Sequence, residues 1–453
     1  MKPSSANVPL CANQMRPSAS RISRDTGSET PELLLGYAPT RGPAPRQPLA
    51  EELASFREFG DATRQLVAAF PGPDGTAKEV PTFVNEFWTA RQRQAISLHE
   101  ISYRACFKPQ LPRFFIERLT QAGDVVYDPF MGRGTTVLEA ALLGRVPCGS
   151  DINPLSVVLT RPRLRPPHLE EVAQRLRQID FAACQEFPDE LLVFYHPDTL
   201  RAIASLKQYL LARRDAHSLD VLDEWICLLA LNRLTGHSPG FFSVYTLPPN
   251  QAVSVKSQQK INAKRNQTPP RRDVCSIILK KTRSLLQDCD PATRQVLARV
   301  APRAQLLTRP AGATPEIADQ SVSLVVTSPP FLDVVDYATD NWLRCWFLGI
   351  DPKAVKLTVP KKIEAWREAM TQVFHELNRV LKPGGHVAFE VGEVHRGKTK
   401  LEEVVVPCGM AAGLDPVLVL INDQQFTKTA NCWGVDNMTK GTNTNRIVLF
   451  RKD

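Results

Sequence analysis

Two short stretches of this chain hold residue types at spacings that can do chemistry. The first is Asp128-Pro129-Phe130-Met131-Gly132-Arg133-Gly134-Thr135-Thr136, with Asp151 closing the next apolar run. Glycines at 132 and 134 allow positive φ and close backbone approach, and an acid ending the second strand can accept bonds from two ribose hydroxyls. The pair therefore suits a nucleoside cofactor. The loop lacks the third glycine of a dinucleotide fingerprint and the Gly-Lys-Ser/Thr of a phosphate-binding loop, which argues against NAD and ATP. The second stretch is Val326-Thr327-Ser328-Pro329-Pro330-Phe331, at the end of a strongly apolar run. Two prolines stiffen the backbone that carries the Ser328 hydroxyl, and an aromatic ring follows. Taken singly, the first is an ordinary tight strand-to-helix turn and the second an ordinary end to a core strand.

The elements around them give both stretches their weight. Val125 to Tyr127 reads as a short strand, Thr135 to Leu143 as an apolar-periodic helix stopped by Gly144, and Pro147 to Ser150 as the next strand, making one βαβ unit. From Arg161 to about Arg303 the alternation breaks into helical runs, HPDTLRAIASLKQYLLARR and LDEWICLLALNRL among them, then a polar, basic segment. It returns with strands at Ala304 to Leu307 and Val322 to Val326, a helix from Ile363 to Leu381, a turn over Lys382 to Gly385 and a strand from His386 to Val391. Pro416 to Ile421 and Arg446 to Arg451 are expected as an antiparallel hairpin at the sheet edge. Upstream, Leu49 to Phe70 has helical spacing ended by Pro71-Gly72-Pro73, and Phe83 to Leu119 is expected to hold two helices separated near Lys108-Pro109. The expected organisation is a disordered arm over 1–48, N-terminal helices and the cofactor half over 49–160, an inserted lobe over 161–303, and a catalytic half over 304–453.

At this point the sequence resembles a known family. DPFMGRGTTVLEAALLGRVPCGSDINPLS is similar to the cofactor-binding segment of class I methyltransferases, especially the amino-directed DNA methyltransferases. The resemblance implies an α/β, Rossmann-like class I methyltransferase sheet, mostly parallel with an antiparallel edge hairpin, and S-adenosylmethionine as cofactor. It places Asp128, Phe130, Gly132 and Gly134 at the methionine moiety, with Pro129 and Thr135 in the same loop, Asp151 at the ribose and Ile152 at the adenine face. HEISYRACFKPQLPRFFIERL resembles the turn and helix over the cofactor's carboxylate, with Lys108 to Pro112 nearest it.

Thr327 to Phe331 resembles the catalytic loop of N4-cytosine DNA methyltransferases, in which adenine-directed relatives more often carry Asp or Asn at the place of Ser328. The implied catalytic set is Ser328, Pro329, Pro330 and Phe331. Ser328 Oγ and the Pro329 carbonyl accept the amine hydrogens, and Phe331 stacks on a base rotated out of the duplex. The implied reaction is methyl transfer to the exocyclic N4 of cytosine in double-stranded DNA, without metal or covalent intermediate. Adenine N6 and an RNA base amine are the alternatives. A cognate restriction endonuclease is a possible partner. The family often places an acid after its third strand, and Leu306 to Ala311 offers none.

Composition agrees with a nucleic-acid partner. The formal net charge is +9 on 453 residues, which favours a polyanion. Lys256, Lys260, Lys264, Arg265, Arg271 and Arg272, interspersed with Asn and Gln, are the expected phosphate-binding and base-reading stretch, and a solvated loop is the bland reading of it. The ten cysteines show no paired or zinc-ligand spacing. Pro-Cys at 147–148 and 407–408 mimics the nucleophile of cytosine-C5 enzymes, yet Ser328-Pro329-Pro330 holds the place that nucleophile needs, so both cysteines read as packing residues. No apolar run is long enough to cross a membrane, and a cytoplasmic location is expected.

Overall fold

Among the described residues, eleven strands and thirteen α-helices follow one another. The computed structural model describes residues 48–59, 61–89, 95–103, 106–247, 252–330, 337–351, 355, 360, 362–394, 399–423 and 444–453. In order they are α1 (Leu49–Ser55), β1 (Arg64–Pro71), β2 (Ala77–Asn85), α2 (Gln110–Leu119), β3 (Val125–Asp128), α3 (Thr135–Leu142), β4 (Val146–Ser150) and α4 (Leu155–Thr160). Then come α5 (Leu169–Gln178), α6 (Pro197–Asp215), α7 (Val221–Arg233), α8 (Val255–Arg265), α9 (Val274–Leu285), α10 (Pro291–Val300), β5 (Gln305–Leu307) and β6 (Val322–Thr327). The chain ends with α11 (Tyr337–Leu348), α12 (Ile363–Val380), β7 (Leu381–Val391), the short pair β8 (Glu393–Val394) and β9 (Thr399–Lys400), α13 (Glu402–Ala411), β10 (Asp415–Asp423) and β11 (Thr444–Arg451). The arm expected over 1–48 falls almost wholly outside the described residues.

Nine strands form one sheet in the order β1-β2-β10-β11-β7-β6-β3-β4-β5. The run from β7 to β5 is parallel, and β11 is antiparallel to both its neighbours. Without β1 and β2, this is the class I methyltransferase order. From β3 the chain winds outward through β4 to β5, and from β6 it winds the other way, so the seam between β3 and β6 is the topological switch point where ligands of doubly wound folds bind. The cofactor loop follows β3 and the Ser-Pro-Pro loop follows β6. The seam thus brings both motifs to one crevice.

Side-chain alternation sorts the two faces. Leu324, Val326, Ala388, Leu418, Leu420, Ile447 and Leu449 meet Phe87, Trp88 and the aromatic face of α2. Val325, Val387, Phe389, Val448 and Phe450 meet Phe374 and Leu377 of α12 and Val405 of α13.

Several expectations are corrected. The stretch Leu49 to Phe70 is helical only through Ser55, because Arg64 to Pro71 pairs residue by residue with β2. Leu and Ala favour a helix locally, and this pairing overrides them. Pro71-Gly72-Pro73 therefore opens a hairpin connection. Between Phe83 and Leu119 α2 is the one α-helix among the described residues, since Phe83–Asn85 completes β2 and 97–99 is a single tight turn. The β10–β11 hairpin is antiparallel as expected but lies inside the sheet, its outer side covered by β2. Lys382 to Gly385 lies within β7, where Gly384 and Gly385 bond to Lys452 of the last strand's extension. The polar, basic segment after α7 contains a helix, α8.

Asn422 ties the segment that follows the added hairpin to β10. Wholly buried on β10, its Oδ1 accepts from Phe87 N (2.6 Å) and Trp88 N (3.1 Å), and its Nδ2 donates to the Trp88 carbonyl. Removing it strands two buried N–H groups, so Asn422→Ala is expected to lower unfolding free energy by about 2 kcal/mol. A urea titration with an unchanged midpoint would refute that.

Candidate active site

The cofactor loop is fixed by its own backbone before any ligand arrives. Gly132 sits at φ 51° and Gly134 at φ 74°, and a Cβ on Gly134 would lie 2.3 Å from Thr160 Oγ1. Only glycine fits there. Gly134 N donates to the Met131 carbonyl (2.6 Å), and Met131 N to Ser150 at the end of β4. Asp151, just beyond β4, accepts from Gly132 N (2.8 Å) through Oδ2 and from Asn153 N (2.9 Å) through Oδ1. It therefore spends bonds on shaping the loop, a role the sequence did not show, and Ile152 beside it is half-buried. Arg133 turns back to Thr135 Oγ1 and to the carbonyls of His99 and Ile101, binding the loop to the segment before α2. Beneath them the wholly buried Arg163 donates to the carbonyls of Leu159, Leu98 and Arg133. Burial and the neighbouring Arg133 lower its pKa to about 9.

Asp128 ends β3 with 1% exposure. Its Oδ1 accepts from Phe130 N (3.1 Å) and Thr327 Oγ1 (2.6 Å). Burial raises its pKa to about 7 against the pull of those bonds, and the Asp151 carboxylate adds to the rise. The groups that act most on it are hydroxyls, a backbone N–H and a second acid. A buried carboxylate in that state fits a cationic ligand such as the ammonium or sulfonium of S-adenosylmethionine. Pro129 is buried and Phe130 half-buried beside it, while Lys108 is exposed at the entry to α2, where its carbonyl accepts from Leu111 N.

The second motif stands directly against the first. Thr327 bonds Asp128, and Thr136 of α3 donates to the Val326 carbonyl (3.0 Å). Past β6, Pro329 is buried and Ser328 and Pro330 are half-buried. The Pro330 carbonyl accepts from Nε1 of Trp366 on α12 (3.1 Å), a wholly buried anchor that sequence reasoning missed. Its signal was a tryptophan on the apolar stripe of α12. Ser328 stands beside Glu390 of β7, one step beyond the paired Thr327 and Phe389, and its hydroxyl acts to lower the pKa of that acid, a second missed residue. Phe331 lies outside the described residues.

The basic stretch divides. Lys256, Lys260 and Lys264 are exposed along one face of α8. Arg265 lies over the Tyr245 ring at 3.8 Å, Arg271 pairs with Asp198 at 3.4 Å, and Arg272 is half-buried, its backbone N–H donating to Thr199. Of the amides interspersed among them, Gln259 and Asn266 are exposed, while the other three turn inward. Gln258 and Gln267 both bond the Tyr245 carbonyl and Asn262, and Asn262 in turn donates to the Val193 carbonyl. They hold the lobe together. Cys148 and Cys408 are buried, as packing residues are, and no helix of the described residues is long and apolar enough to cross a membrane.

Parts of the chain are similar to known proteins. Residues 61–158 match the family model described as DNA methylase. The chain is similar to the type II methyltransferase M.BsoBI of Geobacillus stearothermophilus, 24% identical over 62% of this chain and 58% of that one. It is also similar to the type II methyltransferase M.MvaI of Kocuria varians, 31% identical over 21% of this chain and 20% of that one. The chain thus spans little more than half of the first relative's length and a fifth of the second's. Among solved structures, TrmN from Thermus thermophilus aligns at 12% identity over 79% of this chain and 52% of that one, with a TM-score of 0.31. The sheet order is that of the class I methyltransferase fold, and the matched segment carries the loop that suits S-adenosylmethionine as cofactor. Within that fold, the matched segment is of the amino-directed DNA methylase type.

Asp128 makes stability depend on pH in a predictable sense. Its pKa is raised from 3.8 to about 7 in the folded chain, so its stabilising share is complete below the unfolded value and is lost as pH rises through the folded one. Without cofactor, Asp128→Asn is expected to melt above the wild type at pH 8 and to match it near pH 4. Parallel melting curves for the two proteins across that range would contradict the assignment.

Proposed function

We propose that the chain transfers a methyl group to the exocyclic N4 amine of cytosine in double-stranded DNA. One observation carries the reading: Ser328-Pro329-Pro330 stands at the end of β6, linked to the cofactor loop by the 2.6 Å bond from Thr327 to Asp128. When bound, S-adenosylmethionine supplies an electrophilic methyl group on a sulfonium. The chain's own residues do the rest. An amine conjugated to its ring is a poor nucleophile until its hydrogens are held so that the lone pair turns out of the ring plane. Ser328 Oγ and the Pro329 carbonyl accept those hydrogens, and the two prolines together with Trp366 hold the acceptors in place before the base arrives. Asp128, with its buried carboxylate, holds the cationic cofactor, aided by the Gly132–Gly134 backbone and by Pro129, Phe130 and Thr135, while Asp151 and Ile152 serve the nucleoside and Lys108 its carboxylate end. Phe331 is assigned the stacking face on the sequence alone. A serine where adenine-directed relatives more often carry Asp or Asn favours cytosine over adenine.

Duplex DNA is favoured as the substrate by the charge of +9 and by the lysine face of α8. The base must leave the stack to present its amine. Relatives named as type II methyltransferases make a restriction endonuclease of the same recognition sequence the expected partner.

Incubation with methyl-labelled cofactor and mixed-sequence duplex DNA, followed by nucleoside mass analysis, tests the reaction. N4-methylcytosine is expected, reduced about 100-fold or more by Ser328→Ala. N6-methyladenine would move the target to adenine, and label confined to structured RNA would remove DNA as the substrate. Replacing Lys256, Lys260 and Lys264 together by Gln is expected to flatten the slope of log affinity against log salt by about 2.7, at ~0.9 per phosphate contact. An unchanged slope would place the DNA on another surface.

A further inference from the structure

Glu390 is an anomaly of the core. It stands in β7 between Phe389 and Val391, both wholly buried, and is itself only 7% exposed. A buried acid costs free energy that a cation ordinarily offsets, as Arg446 does for Glu402 (2.6 Å) in this chain. Glu390 instead meets two neutral donors. Asn445 Nδ2 of β11 donates to its Oε1 at 3.0 Å, and the register that pairs Thr327 with Phe389 sets Ser328 beside it from the end of β6, where the hydroxyl acts to lower its pKa. Alternation places the three on one face of three neighbouring strands, above Val326, Ala388 and Ile447. The fold thus sets a carboxylate directly behind the hydroxyl that faces the target amine.

Resting on the reaction proposed above, we infer that Glu390 is the positioning residue and proton acceptor behind Ser328. The amine lone pair forms the bond from nitrogen to methyl carbon, and the electron pair of the broken carbon–sulfur bond stays on sulfur. The methylated nitrogen then carries one proton too many. That proton passes to Ser328 Oγ, the original Ser328 hydroxyl proton passes to the Glu390 carboxylate, and Glu390 later returns it to solvent. Each step conserves charge, and serine ends as it began. Glu390 acts through Ser328 and does not touch the base. Asn445 keeps the carboxylate turned toward the hydroxyl.

The surroundings suit a proton acceptor. Burial raises the Glu390 carboxyl above the ordinary glutamate range, and the bonds from Ser328 and Asn445 work against that rise. Among the described residues, the groups facing it are Ser328 from β6 and Asn445 from β11, both uncharged. The Arg446–Glu402 pair belongs to the opposite face of β11. The chain's other nearby acid, Asp128, is engaged by Thr327 on the cofactor side.

Single-turnover methylation of duplex DNA from about pH 5 to 9 tests this, with cofactor affinity and melting temperature measured alongside. The wild-type rate is expected to fall on the acid side as Glu390 becomes protonated. Glu390→Gln should lower the plateau about 100-fold and abolish that limb, with cofactor affinity and the KM for DNA within about twofold and a melting temperature no lower. Glu390→Asp should restore part of the rate. Asn445→Ala removes a donor from the carboxylate, so its acid limb should move to higher pH and its plateau should fall less than that of Glu390→Gln, a readout that does not need Glu390→Gln to fold. Glu390→Gln within about threefold of wild type, or an acid limb that neither variant moves, overturns the inference. A wild type that labels no DNA overturns the preceding reading instead. In that case an infrared titration still decides: a protonated carboxyl band titrating above the ordinary glutamate range and missing from Glu390→Gln supports the acceptor, and no such band overturns it.

Discussion

The bond from Thr327 to Asp128 spans the seam on which the rest of the site depends. It joins the ends of two strands far apart in sequence at the place where winding of the sheet reverses. A sheet wound outward in both directions from β3 and β6 leaves their C-terminal ends uncovered by crossover helices, and this is what opens a crevice. The cofactor loop leaves one and the Ser-Pro-Pro loop the other, and Thr136 ties helix α3 to the same seam through the Val326 carbonyl.

Charge is handled differently inside that crevice and away from it. In the helical lobe, the wholly buried Asp223 is met by Arg175, by Arg213 and by the Tyr209 hydroxyl. Glu402 is met by Arg446. These acids are paired, and their charge is a packing matter. Asp128 and Glu390 are answered chiefly by hydroxyl, amide and backbone donors, and burial raises both. Buried carboxylates left short of positive charge suit the partners proposed for them, a cation in one case and a proton in the other.

The inserted helices are part of the same compact unit, 47–453, as the sheet. Their polar side chains are mostly spent internally. Gln258, Asn262 and Gln267 knit α8 to the segments around Tyr245 and Val193, leaving a row of lysines as the outward feature of that helix. Trp342 of α11, the first helix after the Ser-Pro-Pro loop in sequence, donates to the Ala252 carbonyl and so joins α11 to the lobe.

By itself the sequence determined the βαβ unit at 125–150, the glycine loop, the Ser-Pro-Pro loop and most of the helices between them. These are local matters: strand-to-helix turns need glycine at fixed places, prolines set φ, and apolar spacing of period two or 3.6 is written in consecutive residues. Only the tertiary structure decided the rest. Arg64 to Pro71 became a strand because β2 was there to pair with it, and the terminal hairpin became interior because β2 also covered β10. Glu390, Asn445 and Trp366 looked like ordinary members of a strand, a strand end and an amphipathic helix. Their meaning came from strands brought side by side across long stretches of chain, and such neighbours leave no period or spacing in the sequence for a reader to find.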